Sequence, residues 1–531
     1  MSGNARASHA TLERDHFLER LRSDACPDIL VIGGGATGLG CAVDAASRGH
    51  SVVLVEAHDF AKGTSSRATK LIHGGVRYLA QGRLALVREA LIERSRLLHN
   101  APHLVHPLRF VIPAYRWFER SGFGIGLALY DLVFGTHGIH PRSLLDPEET
   151  AAALPTLARA GLRGGVAYWD AQFDDARLAI TLMRTAIDLG GLAINYLPVE
   201  DLLLEAGRVV GARVRDAESG EQFAIRARVV INATGVWADD LRRMESPHAD
   251  ALLRPSQGVH LVVDRSFFPG PDALLLPGTR DGRVLFVIPW QGRVLVGTTD
   301  TARDDTPIEP LALAGEVDFI LDGVGQYLSR APRRADVRCV FAGLRPLIAS
   351  RRGVPTGGLS REHLVDRSAG GLITITGGKW TTYRQMAEDA VNAAEACAGL
   401  SSRPCVTADL RLHGATARAG ADAYGSERDL IDTLPGAGRR IHEGLTLSEA
   451  EVRHAVRHEL ARTVEDVLAR RHRALFMDAG LALAAAPAVA RVLAAELRRD
   501  GAWCEAETAR FRALAAGFLA DGRPAPCRMR R

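Results

Sequence analysis

A chain of 531 residues is long enough for two to four domains, each with a core of its own. Hydrophobic residues at 47% and charged residues at 24% exclude wholesale disorder and fibrous architectures. The 66 Lys and Arg against 62 Asp and Glu leave a formal charge of +4, too slight to argue for nucleic acid, so any anion site must be local.

The stretch 1–27 contains Glu13, Asp15, Glu19 and Asp24 and no apolar run, so it does not read as a secretory signal. Leu12, Phe17, Leu18 and Leu21 among those charges suit an extra amphipathic helix. Residues 28–57 then read as strand, glycine turn, helix and Val-rich strand, a βαβ unit. Gly33-Gly34-Gly35-Ala36-Thr37-Gly38 satisfies G-x-G-x-x-G in that setting. Gly33 permits the tight turn, Gly35 lets backbone amides approach a pyrophosphate, and Gly38 lets the helix pack against the sheet. The helix N-terminus then faces the anion. Glu56 closes the second strand 23 positions after Gly33, where a carboxylate accepts from a ribose diol and repels a 2′-phosphate, which disfavours NADP. A distant strand, 227–232, ends in Ala233-Thr234-Gly235 and brings backbone close to a cofactor, which leans towards FAD rather than NAD.

Downstream, Leu84, Val87, Leu91 and Leu98 predict an amphipathic helix over 83–98. The segment 121–135 is apolar except for Asp131 and follows Tyr115, Arg116, Trp117, Phe118 and Arg120. It is too short to span a bilayer and reads as a buried helix, the sharper alternative being a patch lying in a membrane surface. No window holds the ~18 uninterrupted apolar residues of a membrane span. Short Val- and Leu-rich runs over 192–232, 258–264, 283–289 and 293–298 predict strands, the later three an antiparallel sheet on the substrate side. After Gly399 the Ala-, Arg-, Glu- and Leu-rich composition predicts helices. Thr446 with Glu449 reads as a capping box that opens a helix carrying Val452, Val456, Leu460 and Val464.

Three further clusters carry chemistry-bearing residues: Thr64 to Tyr78 crowds hydroxyls, cations and paired glycines, Arg345 sits among apolar neighbours, and Gly377-Gly378 precedes Lys379. Each alone is as readily structural as functional. The cysteines, Cys26, Cys41, Cys339, Cys397, Cys405, Cys504 and Cys527, form neither a CxxC pair nor a Cys/His cluster, which reads as reduced thiols and no metal site.

The motifs VIGGGATGLG at 31–40, TSSRATKLIHGGVRYL at 64–79, FDDARL at 173–178, NATGVWAD at 232–239, FVIPW at 286–290, VGTTDT at 296–301, GLRPL at 343–347, SREH at 360–363, GGKWTTYR at 377–384 and VRHELARTVEDVLARR at 456–471 occur in this order. Over about 28–478 the chain thereby resembles the FAD-dependent glycerol-3-phosphate dehydrogenases of the D-amino-acid-oxidase-like flavoprotein superfamily. The resemblance implies an α/β fold in which a Rossmann-type FAD-binding domain meets an antiparallel-sheet substrate domain and a helical C-terminal domain. The segments expected are an N-terminal extension 1–27, an FAD domain from 28–100, 165–240 and 340–398, a substrate domain from 101–164 and 241–339, and a helical domain 399–531.

The resemblance further implies non-covalent FAD, sn-glycerol 3-phosphate as substrate, dihydroxyacetone phosphate as product and a membrane quinone as electron acceptor. Carried over by position, Gly33, Gly35 and Gly38 line the pyrophosphate and Glu56 the ribose, with Val199 near the adenine. Thr64, Ser65, Ser66, Lys70, Leu71, Thr234, Gly235, Gly377 and Gly378 lie along the rest of the cofactor. Arg77, Arg345 and Lys379 match the basic residues around the substrate, as a phosphate of nearly two charges requires. By family position His260 is the base for the hydroxyl proton and Arg345 stabilises the alkoxide, whereas His73 reads as a loop residue near the flavin. Trp380 stands where relatives often carry leucine, and its ring bears on access to the substrate phosphate. The location implied is cytoplasmic, peripheral on the inner face of the cell membrane with lipid contact, with no nucleic acid and a homodimer left open. An oxygen-using glycerol-3-phosphate oxidase, an amino-acid oxidase of the same superfamily and a non-catalytic FAD-binding sensor or scaffold are the competing readings.

Overall fold

The computed structural model describes residues 11–23, 26–75, 83–117, 119, 140–276, 284–349, 362–416 and 422–520. Arg77, and the whole of the apolar segment 121–135, lie outside the described residues.

The strands Ile29–Ile32, Val52–Val55 and Val229–Asn232 are apolar at nearly every position, the pattern of strands covered on both faces. They form the centre of a six-stranded sheet in the order His363–Arg367, Ile373–Gly377, Val229–Asn232, Ile29–Ile32, Val52–Val55, Leu192–Ile194. All pairings are parallel except the edge hairpin of His363–Arg367 with Ile373–Gly377. The helix Ala36–Ser47 follows the first strand and meets Tyr383–Ala398, where a Cβ on Gly40 would stand 2.9 Å from the Tyr383 ring. The predicted βαβ unit is therefore present.

A second sheet is antiparallel apart from the pairing of Ala273–Leu276 with Val105–Pro113. Its longest pairing joins Leu253–Asp264 to Val337–Ile348, with Gly258 opposite Gly343, His260 opposite Phe341 and Ser256 opposite Arg345. Because strand side chains alternate, Ser256, Gly258 and His260 share one face with Phe341, Gly343 and Arg345. Gly165–Phe173 and Val337–Ile348 both belong to this sheet. The expected FAD segments 165–240 and 340–398 therefore begin with, or within, a strand of this second sheet, and Leu71–Ile72 is its edge strand. Sheet membership is a long-range pairing that local periodicity does not encode.

The amphipathic helix expected in the N-terminal extension is present at Arg14–Arg22 and buries Phe17, Leu18 and Leu21 in the core of the parallel sheet. Arg14 donates to Asp216 at 2.7 Å and to the Asn195 carbonyl at 3.1 Å.

The C-terminal domain is helical, with Glu449–Glu459, Ala479–Leu497 and Gly501–Ala516 around a π-helical turn, Asp466–Arg471. Two overlapping S/T-x-x-E patterns compete at its start, and the cap is Ser448 with Glu451, not Thr446 with Glu449. Ser448 Oγ accepts from Glu451 N at 3.2 Å, and the Glu451 carboxylate accepts from Ser448 N at 2.7 Å. The helix also stops before Val464, because Leu460 turns left-handed at φ 55°. Ala479–Leu497 is long and apolar enough to cross a membrane by length and composition alone, yet Ala482, Ala485, Ala486, Val489, Ala490 and Leu493 are core residues.

Arg177 grips Glu459 with both guanidinium arms where the helix Asp175–Asp188 meets the end of Glu449–Glu459, and both residues are buried. Burial alone would raise the Glu459 carboxyl, but Arg177 outweighs it and holds the group down to about 2 from its usual 4.5. Glu465 is likewise held down to about 2, against burial, by Arg470 and Lys62. A carboxylate whose folded pKa is depressed stabilises the fold above its unfolded pKa, and that stability is lost as pH falls through the window down to the folded value. The melting temperature is thus expected to hold between pH 7 and 5 and to fall steeply below about pH 4.5; a flat melting temperature down to pH 3 would contradict this linkage.

Candidate active site

A cavity of about 450 Å³, in the range of small-molecule sites, lies between the glycine turn of the parallel sheet and the shared face of the long antiparallel pairing. Gly33 has φ +112°, and a Cβ there would sit 2.6 Å from the Ala233 carbonyl oxygen. A Cβ on Gly38 would stand 1.9 Å from the Gly33 carbonyl oxygen, so Gly38 serves the packing and does not reach the cavity. Gly35 lines the cavity as the residue that opens helix Ala36–Ser47. It has no capping side chain of its own; Ser65 Oγ accepts from Ala36 N at 2.9 Å instead.

Glu56 lines the same cavity, fixed by Gly34 N at 2.6 Å and His58 N at 2.8 Å. Burial raises its carboxyl, and those two backbone donors partly offset the rise. Val199, Thr234, Gly235, Gly377 and Gly378 complete this part of the wall. Gly235, Gly377 and Gly378 all have positive φ, and a Cβ on Gly235 would meet nothing within 4 Å.

Thr64, Ser65 and Leu71 line the cavity. Thr64 Oγ1 donates to the Leu344 carbonyl at 2.6 Å, and the Trp380 indole donates to the Ser65 carbonyl at 2.9 Å. The Trp380 ring, edge-on to Phe173 and Tyr383, thus pins the 64–66 turn and forms part of the wall beside Lys379. Ser66 and Lys70 do not reach the cavity. Lys70 is fully buried, donating to Asp175 at 2.6 Å and to the Ser66 carbonyl at 2.9 Å among the rings of Trp290, Phe341 and Phe476. Burial, and then the Arg473 charge, push its ammonium down to about 7. A cation in a hydroxyl-rich loop reads as an anion ligand, but its partner is a carboxylate from the FDDARL motif.

At the cationic part, Arg345 donates to Thr298 Oγ1 at 3.0 Å and to the Thr299 carbonyl at 3.1 Å. A Cβ on Gly258 would stand 2.2 Å from Arg345 Nη2, so the bare strand position makes room for the guanidinium. Lys379 lines the cavity just before the tight turn Trp380–Thr382. His260 lines it too, stacked on Phe341 at 5.0 Å and 16°, with Nε2 3.0 Å from Thr69 Oγ1. Burial first, then Lys70 and Arg345, push its imidazole well below the ordinary 6.5, so the ring is neutral at neutral pH. His73 reaches the wall as well, as do Lys62 and Arg67, which pair with Glu309 at 2.6 Å each. The crowded 64–78 cluster was the sequence signal for Arg67 and His73, whereas Ile308, from the loop before helix Ala314–Gly325, gave none.

The bare glycine turn, the fixed carboxylate and the second glycine pair suit the pyrophosphate and ribose of a dinucleotide, and the cavity continues past them to Arg345, Lys379 and His260. Fold and site define an oxidoreductase that binds FAD. The family model described as FAD dependent oxidoreductase matches residues 28–384, and that of the C-terminal domain of alpha-glycerophosphate oxidase matches 372–504. The mitochondrial glycerol-3-phosphate dehydrogenase of Arabidopsis thaliana is 41% identical over 524 residues, covering 89% of this chain and 83% of that protein. Its Homo sapiens counterpart is 40% identical, covering 92% and 73%. The glycerol-3-phosphate dehydrogenase of Bacillus halodurans, solved with FAD, superposes with a TM-score of 0.79 at 31% identity over 96% of this chain and 98% of that one. The chain belongs to the FAD-dependent glycerol-3-phosphate dehydrogenase family, and FAD is its cofactor.

Proposed function

We propose that the protein oxidises sn-glycerol 3-phosphate to dihydroxyacetone phosphate and passes the electrons to a membrane quinone. The observation that carries this reading is the meeting of Arg345, Lys379 and His260 in the cavity that the glycine turn opens. A phosphate needs two or three cationic donors, and Arg345 and Lys379 supply two, with Arg77 proposed as the third. An amino-acid substrate would call for a single carboxylate clamp.

FAD, when bound, supplies the acceptor for the hydride that leaves C2. The chain's own groups manage charge and proton: neutral His260 takes the hydroxyl proton at a ring nitrogen, and Arg345, on the same sheet face, stabilises the developing alkoxide. Loss of one hydride and one proton turns the secondary alcohol into the ketone. Glu56 is the proposed ribose ligand, Val199 lies by the adenine, and Gly33 and Gly35 take the pyrophosphate. Trp117, 80% exposed beside Arg116, supports contact with a membrane surface, where an aromatic and a cation sit at headgroup level.

Anaerobic addition of sn-glycerol 3-phosphate should bleach the flavin, and a soluble quinone should restore it faster than air does. Recovery in air with rapid peroxide release would make the protein an oxidase, and an unchanged spectrum would make it a binder. His260→Gln should slow bleaching by about 10²–10⁴-fold. A larger loss in His73→Gln than in His260→Gln would move the base to His73.

A further inference from the structure

The segment VRHELARTVEDVLARR and the residues just after it contribute no side chain to the cavity wall, yet the arginines at and just after its end are almost wholly buried: Arg470 is 2%, Arg471 4% and Arg473 1% exposed. Arg470 and Arg471 both bond Asp59, the second arm of Arg471 reaching Asp59 Oδ1 at 3.0 Å. Asp59 does not line the cavity, but Glu56, His58, Ala61 and Lys62 around it do. Lys62 is itself paired with Glu465 of the same turn. Arg473 takes hold of the second loop, donating to the Ser66 carbonyl at 2.7 Å and to Asp175 at 3.2 Å, while Ser65 and Arg67 on either side of Ser66 line the cavity. The turn thus grips from behind the two loops that form much of the FAD wall.

Three features separate this grip from ordinary domain packing. Both loops hold a non-glycine residue in the left-handed region, Ala61 at φ 60° and Lys70 at φ 64°, and such residues persist only where surrounding contacts over-determine them. The gripping turn is π-helical, a form that gathers at functional sites. Buried ion pairs add little net stability over apolar packing, so their use on both loops points to placement rather than strength.

We infer that the Glu465–Arg473 turn is a clamp that sets the two FAD-contacting loops in binding geometry, so that FAD binding and docking of the C-terminal domain stabilise one another. Arg470, Arg471 and Arg473 are positioning residues, acting through Asp59 and Ser66. Coupling of this kind is reciprocal: what the clamp gives to FAD affinity, FAD gives back to the clamp. The inference rests on the FAD site and not on the identity of the substrate, so bleaching by glycerol 3-phosphate neither supports nor weakens it.

Amide hydrogen exchange of the full chain, with FAD and after its removal, reads the coupling without any substitution. FAD should slow exchange in 466–473 as well as in 56–70, although no residue of 466–473 lines the cavity. Arg471→Lys and Arg473→Lys, which keep the charge and lose the fork, should raise the Kd for FAD by about 5- to 150-fold while the apoprotein melts close to wild type. A purely structural role would lower apo and holo stability together and leave Kd unchanged. Protection confined to 56–70, or folded variants with wild-type Kd, would overturn the clamp; if the variants do not fold, the wild-type exchange pattern alone decides.

Discussion

Arg345→Ala is expected to lower kcat/KM for sn-glycerol 3-phosphate by about 10³-fold or more while the protein stays yellow. Removing one donor from a developing oxyanion costs about 10²–10³ in rate, and losing a charged contact to the phosphate adds about 1.5–3 kcal/mol. The fold should survive, because the partners left behind include a threonine hydroxyl, a carbonyl and the Asp300 carboxylate 3.9 Å away, which keeps its bond from Ser256, and the Arg345 side chain is 20% exposed. FAD should stay bound, since Glu56 is fixed by Gly34 N and His58 N, and Ser65 by Ala36 N, bonds that the substitution leaves in place. Steady-state kinetics with the ratio of flavin to protein absorbance checks both halves. Near-normal turnover would remove Arg345 from the site.

Gly35→Val should do the reverse, emptying the protein of flavin while leaving it folded. A Cβ at Gly35 meets only Ser65 Oγ, at 3.1 Å, a close contact with one side-chain atom rather than with backbone, so the sheet itself is left undisturbed. The added methyls project from a cavity-lining position at a helix N-terminus, where backbone amides must approach a pyrophosphate. Overpacking costs about 1–3 kcal/mol and each displaced bond to a charged phosphate about 1.5–3 kcal/mol. Together these correspond to roughly 10²–10⁴-fold in affinity. Gly33 and Gly38 cannot make this test, because a Cβ at either would press into backbone and disturb the sheet itself. Equilibrium flavin binding with circular dichroism as the fold control reads the result, and a yellow Gly35→Val protein would place the pyrophosphate elsewhere.

The βαβ unit was legible because all its signals are local: apolar strand, glycine spacing, helix and terminal Glu56 fall within 28–57. The cationic part was legible only through resemblance, since nothing near Arg345, Lys379 or His260 says that paired strands will bring them together. Lys70 misled for a related reason, its partner Asp175 lying 105 positions away. The membership of Gly165–Phe173 and Val337–Ile348 in the antiparallel sheet was not legible, because pairing across the chain leaves no period in the sequence. At Ser448 the pattern was read correctly in kind and two residues early in place, because the same motif occurs twice in overlap. The arginines of 470–473 could not be assigned from sequence, with Asp59 and Ser66 some 400 positions upstream.

The central claim is that one cavity holds both FAD and a phosphate-gripping set of cations. Its most direct test is the anaerobic rate of flavin bleaching with sn-glycerol 3-phosphate against glycerol at equal concentration, measured by stopped flow on the purified protein. The account predicts rapid, saturable bleaching with the phosphorylated compound and a rate lower by orders of magnitude with glycerol, the difference collapsing in Arg345→Ala. Equal rates with the two compounds, or bleaching by neither, would contradict it.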